Sequence, residues 1–198
     1  MASRSKRPPV SRERVITEAA IIADDVGLDN LTFSAVAARL GISVPGLYKH
    51  VTSIDEVRRE IAILGIEDLT DRIAMATIGK SDVKAIRAAA IGYREYAHEH
   101  PGQYTASLVA PTLGDERHNA ASDRLLQIMF AILDGFNFSR DEVIDAIRSF
   151  RAIAHGFVSL EAAGGFGIPQ SVDASFDRLL SMYIAGLERW RSPVQIDD

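Results

Sequence analysis

The chain has 198 residues, of which 47% are apolar and 25% charged, and it carries a net charge of −5 and no cysteine. This composition supports a sizeable hydrophobic core, and the lack of cysteine excludes disulfides and thiolate zinc sites. No apolar run is long enough to cross a bilayer, and the first residues lack the apolar segment of a signal peptide. We therefore expect a cytoplasmic protein with no membrane contact.

Positive charge is concentrated at the start of the chain, where Glu13 is the only acidic residue among the first 14. The Pro8-Pro9 pair opposes helix formation, so residues 1–10 are predicted to form a flexible basic arm. Such an arm suits a protein that docks one end on DNA and reaches into the minor groove. Basic termini are also common in proteins that bind no nucleic acid. The arm residues predicted to contact DNA are Arg4, Lys6 and Arg7.

The first helix is predicted to begin after Ser11, a good N-cap, and to run to about Val26, where Gly27 ends it. Its apolar residues recur at helical spacing. We expect this helix to pack across the next two helices and to complete a three-helix domain over residues 11–52.

Residues 33–50 are predicted to form two short helices joined by a tight turn. Thr32 caps the first helix, which ends at Gly41, a residue suited to positive φ. Ser43 caps the second helix, and Pro45 fits its first turn, where no N–H is required. This arrangement is typical of a helix-turn-helix motif.

The second helix of this pair has one core residue, Leu47, and an exposed face that is small at its start and rich in donors at its end. Small residues allow close approach to base edges, and hydroxyl, ammonium and imidazole groups donate to phosphates. Each residue on this face also has an ordinary explanation as a cap, a packing residue or a solvated side chain. The residues of the motif predicted to contact DNA are Thr32, Ser34, Ser43, Val44, Pro45, Gly46, Tyr48, Lys49 and His50.

The segment LTFSAVAARLGISVPGLYKHVTSIDEV resembles the DNA-binding signature of the TetR family of bacterial transcriptional regulators. The resemblance implies a regulator, usually a repressor, that binds a palindromic operator in double-stranded DNA as a homodimer and is released by a small molecule. The apolar and aromatic residues assigned below to its pocket predict that this molecule is a small hydrophobic effector. It also implies that Tyr48 donates its hydroxyl to a phosphate. The chain departs from the family at Ile54, where a lysine usually contacts a phosphate, and the basic arm is a candidate to replace that contact.

The rest of the chain is predicted to be helical, because it shows helical periodicity and no strand alternation. Capping boxes are expected at Ser53 with Glu56 and at Ser139 with Glu142. Pro101-Gly102 is expected to break one helix from the next. The predicted helices begin at residue 53 and then cover 81–100, 103–113, 116–133, 139–163 and 171–190. The fold class is therefore all-α: a three-helix helix-turn-helix DNA-binding domain, followed by a larger helical ligand-binding and dimerisation domain over residues 53–198.

Two later segments, YREYAHEHPGQY and IRSFRAIAHGFVSLEAAGGFG, resemble the C-terminal domain of one TetR subgroup, named for a Trp-His-Gly motif. The motif here reads Ala154-His155-Gly156, so its tryptophan is absent. This resemblance covers most of residues 80–190 and identifies no ligand.

Two sets of residues are assigned to the second domain. Two copies of the recognition helix are needed to hold a palindromic site, and two apolar helices near the C-terminus supply a surface for a four-helix bundle. A pocket among the helices would take the effector, although each pocket residue alone is better explained as core. The dimer residues are Ile144, Ile147, Phe150, Ile153, Phe176, Leu180, Tyr183 and Leu187. The pocket residues are Ile66, Tyr93, Tyr96, Tyr104, Leu108, Met129, Phe130 and His155.

The sequence contains no enzyme motif that we recognise. His98-Glu99-His100 is too short for the H-E-x-x-H zinc motif, and Ser159 lies outside a G-x-S-x-G context. We therefore expect no catalysis, no cofactor and no metal. The alternative to a DNA-binding regulator is a helical module that binds hydrophobic molecules or assembles with partners, and whose basic arm is incidental.

Overall fold

The computed structural model describes residues 9–191, and all regular elements in that range are helical, which confirms the predicted fold class. Within the same range, no helix combines the length and the hydropathy needed to cross a membrane. The helices are α1 (Arg12–Val26), α2 (Phe33–Leu40), α3 (Val44–Leu47), α4 (Ile54–Thr77), α5 (Asp82–Glu99), α6 (Pro101–Ser107), α7 (Glu116–Leu133), α8 (Arg140–Ala162) and α9 (Val172–Arg191), with short 3₁₀ turns at Leu28–Asn30 and Asp134–Phe136.

Side-chain caps set the starts of the first three helices. Ser11, Thr32 and Ser43 have extended backbones, and each side-chain oxygen accepts a hydrogen bond from the N–H three residues later, at 3.2–3.3 Å. Gly41 ends α2 with φ 70°, in the left-handed region that glycine adopts without strain. The predicted bounds of α1 and α2 are therefore confirmed. By contrast, α3 is a single turn that ends at Leu47.

The two predicted capping boxes differ in outcome. In α8 both bonds form, between the N–H of Ser139 and the carboxylate of Glu142 and between the N–H of Glu142 and the Ser139 hydroxyl. At α4 the Ser53 hydroxyl accepts from the Glu56 N–H, but the Glu56 carboxylate accepts from the N–H and hydroxyl of Thr52, each at 2.6 Å. The predicted return bond to Ser53 is therefore wrong by one residue, since the carboxylate accepts both of its hydrogen bonds from Thr52.

The break predicted between the helices over 81–100 and 103–113 is confirmed, but it falls at His100, between α5 and α6, and not at Pro101-Gly102. Pro101 is the first residue of α6, and the helix ends at Ser107 instead of covering residues 103–113. Proline lacks the N–H that a first turn leaves unpaired, so it begins a helix as readily as it interrupts one. The next two N–H groups, of Gly102 and Gln103, donate to the carboxylate of Asp24 in α1, at 2.9 Å each. This cap comes from 78 residues away, so no local pattern predicts it.

The described chain divides into two compact units. The first unit consists of the described residues up to Gly65 together with His100–Leu113, and the second consists of Ile66–Glu99 together with the described residues from Gly114 onward. This division differs from the predicted boundary after residue 52, because the first half of α4 and all of α6 belong with the N-terminal helices.

The core of the first unit forms around α1, which packs against α2 and α6. The helix-turn-helix motif and the first turns of α4 complete it. Its fully or almost fully buried residues are Val15, Ile16, Ala19, Ala20, Ile22, Ala23, Leu31, Val36, Ala37, Leu40, Leu47, Val51, Val57, Ile61, Ala62 and Ala106.

Helices α1 and α6 meet backbone to backbone at Gly102. A Cβ at this residue would lie 2.1 Å from the carbonyl carbon of Ala23, so a larger residue does not fit. Beside this contact, the Asp24 carboxylate also accepts from Nε2 of Gln103 at 2.7 Å and lies 3.1 Å from Nδ1 of His100. Asp24 therefore joins the end of α1 to the start of α6.

In the second unit, α5 contacts α7, α8 and α9. The ring of Phe150 lies beside Tyr93 and Tyr183, with centroid distances of 6.2 and 6.0 Å. The Arg94 guanidinium donates two hydrogen bonds to Glu161 and lies 5.0 Å from the centre of the Phe176 ring. These contacts fix α5 to α8 and α9.

We expect Gly102→Ala to lower the free energy of unfolding by at least about 2 kcal/mol, because the added methyl group overlaps the backbone of α1. Urea unfolding followed by circular dichroism measures the change. The matched control is Gly92→Ala in α5, another buried helical glycine, where a Cβ would make ordinary contacts of 3.5 Å with Ala76 and Arg72. The control should keep or gain stability, by up to about 1 kcal/mol. Equal stabilities for the two variants would contradict the close approach at Gly102.

Candidate nucleic-acid interface

The single turn of α3 and the residues after it present two opposite faces. Leu47 is 0% exposed and packs in the core of the first unit, whereas Tyr48 is 57% exposed and Lys49 is also exposed. The burial of Leu47 fixes the rotation of this short helix, because successive helical residues point in different directions. Tyr48 and Lys49 consequently face solvent, as predicted from the sequence.

The donors on this exposed face have no partner elsewhere in the described chain. Neither the Tyr48 hydroxyl nor the Lys49 ammonium makes a hydrogen bond or ion pair with any residue between 9 and 191. The Tyr48 ring itself is held by Phe33, with ring centroids 5.3 Å apart and planes at 84°. His50 follows and is half-buried. A hydroxyl and an ammonium in this setting are suited to donate to phosphate oxygens.

Other cations near the motif are paired within the protein. Arg12 binds Glu56 at 2.8 Å and Glu60 at 3.0 Å, and Arg39 binds Glu18 at 2.7 Å. Lys49 is therefore distinguished from these arginines by its lack of an internal counter-ion. Further pairs in the first unit join Arg39 to Asp25, Arg58 to Asp55 and Arg59 to Glu60.

The tip of α3 is only partly available for base contacts. Pro45 is exposed, but Val44 is half-buried against the core of the first unit. The Ser43 side-chain oxygen accepts from the N–H of Gly46 at 3.3 Å, so its hydroxyl proton is left to donate elsewhere. Gly46 is half-buried, and an added Cβ there would meet the Ser43 side-chain oxygen at 3.4 Å.

The start of α2 and the start of the chain carry the remaining predicted contacts. Thr32 and Ser34 are both exposed, and the Thr32 side-chain oxygen accepts from the N–H of Ala35 at 3.2 Å. The predicted arm residues Arg4, Lys6 and Arg7 lie outside the described residues.

The turn before α4 supplies no cation at the position where the resemblance implies a lysine. Ile54 packs partly against the core of the first unit. Beside it, hydrogen bonds from Thr52, followed by one from Arg12, lower the pKa of Glu56 to about 2. The hydrogen bonds that Arg12 donates to Glu60 and Glu56 raise the pKa of Arg12 above its ordinary value. This end of α4 is thus a neutralised, hydrogen-bonded turn.

The predicted pocket residues are divided between the two units. Tyr104 and Leu108 belong to the first unit and the other six to the second. Phe130 lines an open cavity of about 610 Å³ in the second unit. Phe138 and Arg140 line the same cavity, and the sequence analysis did not assign either of them to a pocket. His155 lies 3.3 Å from the Ser159 hydroxyl. The residues of the predicted set that are buried in the second unit are Ile66, Tyr93, Tyr96 and Met129.

A buried histidine was missed by the sequence analysis. His118, in the first turn of α7, is 4% exposed, and its Nε2 has no hydrogen-bond partner within residues 9–191. Asp115 caps the same turn by accepting from the His118 N–H at 3.1 Å. The sequence did contain a signal for this burial. His118 precedes Ala121 by three residues and Met129 by eleven, which places it on the buried face of an amphipathic helix. Such an atom is a candidate to bind a polar group of a ligand.

The predicted dimer residues are largely used within a single protomer. Half-buried positions remain at Ile144, Ile147, Ile153 and Tyr183, and the Tyr183 hydroxyl donates to the carbonyl of Ala146 at 2.8 Å. The remaining four, Phe150, Phe176, Leu180 and Leu187, are buried and therefore fill the core of the second unit. Sequence periodicity does not separate a core face from an interface face, because both are apolar.

The two histidines of the His98-Glu99-His100 segment each lie beside a carboxylate group. In the described part of the chain, no group of three or more His, Cys, Asp or Glu side chains is placed to hold a metal ion. His98 lies 2.8 Å from Glu161, and His100 lies beside Asp24.

Comparison with known proteins gives relatives that cover nearly the whole chain. The family model described as "Tetracyclin repressor-like, C-terminal domain" matches residues 86–183. An uncharacterised HTH-type transcriptional regulator of Mycobacterium tuberculosis is 33% identical over 181 residues, covering 91% of this chain and 83% of its own length. Another, from Bacillus subtilis, is 26% identical and covers 92% of this chain and 95% of its own. Both are named as regulators of transcription and not as enzymes.

Solved structures share the fold across the same length. A TetR variant from Acinetobacter baumannii, in complex with minocycline, matches with a TM-score of 0.69 at 23% identity, covering 93% of this chain and 99% of that one. A protein of unknown function from Rhodococcus matches with a TM-score of 0.75 at 18% identity, covering 94% of this chain and all (100%) of that one. At these identities the likeness establishes the arrangement of helices.

The environment of Glu56 makes stability depend on pH. Its pKa in the folded protein, about 2, is below the ordinary value of 4.5, so its contribution is complete above pH 4.5 and is lost as the pH falls toward 2. We expect the difference in free energy of unfolding between wild type and Glu56→Gln to shrink steadily as the pH falls from about 5 to about 2. Urea unfolding at a series of pH values measures this. A difference that stays constant over that interval would contradict the assigned hydrogen bonds.

Proposed function

Because the chain belongs to the TetR family of helix-turn-helix transcriptional regulators, we propose that it binds a palindromic DNA operator as a homodimer and represses transcription until a small hydrophobic effector releases it. The observation that carries the DNA-binding part is the exposed pair Tyr48 and Lys49, whose polar groups have no partner in the described chain. The regulatory part is supported by family membership.

In the proposed complex, α3 enters the major groove and its neighbours bind the backbone. Tyr48 donates its hydroxyl to a phosphate, and Lys49 reaches a phosphate or a guanine. Pro45 and the backbone of Gly46 lie nearest the base edges, where Pro45 is suited to contact a thymine methyl group. Thr32 and Ser34, at the start of α2, lie where hydroxyl groups bind phosphates.

The overall charge of −5 does not oppose this proposal, because DNA binding depends on the charges near the binding surface more than on the total charge of the chain. Glu56 and Glu60, in the first two turns of α4, are paired with Arg12, and Asp55 is paired with Arg58. The Lys49 ammonium has no carboxylate partner in the described chain and is therefore available to bind DNA. The basic arm adds the cations Arg4, Lys6 and Arg7, which compensate for the lysine that Ile54 replaces.

The proposed effector is a small, mostly hydrophobic molecule bound in the second unit. The buried aromatic residues there supply apolar surface, and the unpartnered Nε2 of His118 supplies one polar contact. That a TetR variant of similar fold binds minocycline supports a ligand of this size class. Binding releases DNA only if the ligand prefers the conformation that does not fit the operator.

We also assign the second unit to the subgroup named for the Trp-His-Gly motif. His155 and Gly156 occupy the middle of α8, within the range that the family model matches. Ala154 is buried at the position of the absent tryptophan.

A titration with DNA tests the proposed function. Operator selection from random DNA, followed by fluorescence anisotropy, should yield a palindromic site bound with nanomolar affinity. The logarithm of the binding constant should fall linearly with the logarithm of salt concentration, and Lys49→Ala should reduce that slope by about one unit. A hydrophobic compound that stabilises the protein to heat should weaken this binding. A helical module without DNA recognition would select no sequence.

The dimer surface is proposed on the solvent-facing side of α8 and α9, which includes Met182, 61% exposed. We expect Met182→Glu to split the dimer without loss of helicity, because the added charge lies in the proposed interface and outside the protomer core. Sedimentation equilibrium and circular dichroism measure the two effects. Leu180→Glu is the matched contrast: since Leu180 is 2% exposed, that variant should unfold the protomer. A Met182→Glu protein that remains dimeric would place the interface elsewhere.

A further inference from the structure

We propose that Phe33 is a positioning residue for DNA binding: its ring holds the Tyr48 side chain in the orientation from which the hydroxyl reaches a backbone phosphate. This inference rests on the proposed function and adds a residue that does not itself touch DNA.

The geometry is that of a specific aromatic pair. Phe33 is the first residue of α2 and Tyr48 directly follows α3 as its C-cap, and their rings meet edge to face at 5.3 Å with planes at 84°. Edge-to-face pairs at this separation are attractive beyond their buried area. The contact therefore favours one orientation of the Tyr48 ring over the other staggered rotamers.

Tyr48 has few other restraints. More than half of its surface is exposed, and its hydroxyl makes no hydrogen bond within the described part of the chain. It lies at the end of a helix of only one turn. A side chain in this setting loses rotamer freedom when it binds a phosphate, and a partner that fixes it beforehand reduces that loss.

Phe33 is suited to this task because its own ring is anchored. It is half-buried and packs against the core of the first unit, and the Thr32 cap fixes the backbone on which it stands. One side of the ring is thus held by the core and another contacts Tyr48. A residue needed only for packing at this position would affect DNA binding independently of the Tyr48 hydroxyl.

A double-mutant cycle tests the proposal, using Phe33→Leu, Tyr48→Phe and the double variant in fluorescence anisotropy against the selected operator and an unrelated duplex. Tyr48→Phe should weaken binding to both duplexes alike, by about tenfold, because it removes a hydrogen bond to a charged phosphate. Phe33→Leu should weaken both by a smaller factor. In the Tyr48→Phe background, Phe33→Leu should have no further effect. If the two losses multiply instead, Phe33 acts through packing and the proposal is overturned.

A second measurement covers the case in which Phe33→Leu unfolds. Phe33→Met keeps an apolar side chain without a ring, and NMR of tyrosine-labelled protein reports the ring-current shift of Tyr48 directly. That shift should disappear in Phe33→Met, together with part of the DNA affinity. A Tyr48 signal that is unchanged in Phe33→Met would overturn the proposal.

The matched control is Phe166→Leu, which removes another partly exposed aromatic pair, with Phe157 at 4.8 Å, from the second unit. It should leave DNA affinity unchanged. The wild-type protein distinguishes failure of the proposed function from failure of this inference. If the wild type binds no duplex, both proposals are refuted. If it binds DNA but the substitutions at residues 33 and 48 act independently, only this inference is refuted.

Discussion

The burial of Leu47 is the constraint on which the exposed face of the helix-turn-helix motif depends. A helix of one turn has almost no preference for its own rotation, so a completely buried side chain must set it. Because Leu47 enters the core of the first unit, the next residue is directed to solvent, and Phe33 then orients its ring. The chemistry of the exposed face therefore follows from packing on the opposite face.

Charge in the first unit is arranged so that few cations remain unpaired. Arg12 is held by two carboxylates, and the turn before α4 contains hydrogen bonds that keep Glu56 ionised. These pairs stabilise the meeting of α1 and α4 and remove charge from the surface near α3. Lys49 is left with an ammonium that no carboxylate of the described chain neutralises. A surface of this kind attracts phosphate at a defined point, although the chain as a whole is acidic.

Much of the fold follows from local sequence, and the exceptions have a common cause. Ser11, Thr32 and Gly41 act within one turn of their own position, so the bounds of α1 and α2 were predictable. Contacts between distant residues were not predicted: α6 is capped by Asp24 from another helix, and the Glu56 carboxylate also accepts a hydrogen bond from Arg12, 44 residues away. The contact of Phe33 with Tyr48 likewise requires tertiary structure. Apolar periodicity in α8 and α9 identified helix faces that are expected to be buried, but it did not show whether the core of the same protomer or a second protomer buries them.

The backbone contact at Gly102 has a mechanical consequence for the first unit. Where helices touch through side chains, a small displacement of one is absorbed by rotamer changes in the other. At Gly102 no side chain separates α6 from the backbone of α1, and the carboxylate of Asp24 accepts hydrogen bonds from the first turn of α6 at the same point. We therefore expect α1 and α6 to move together as one rigid pair.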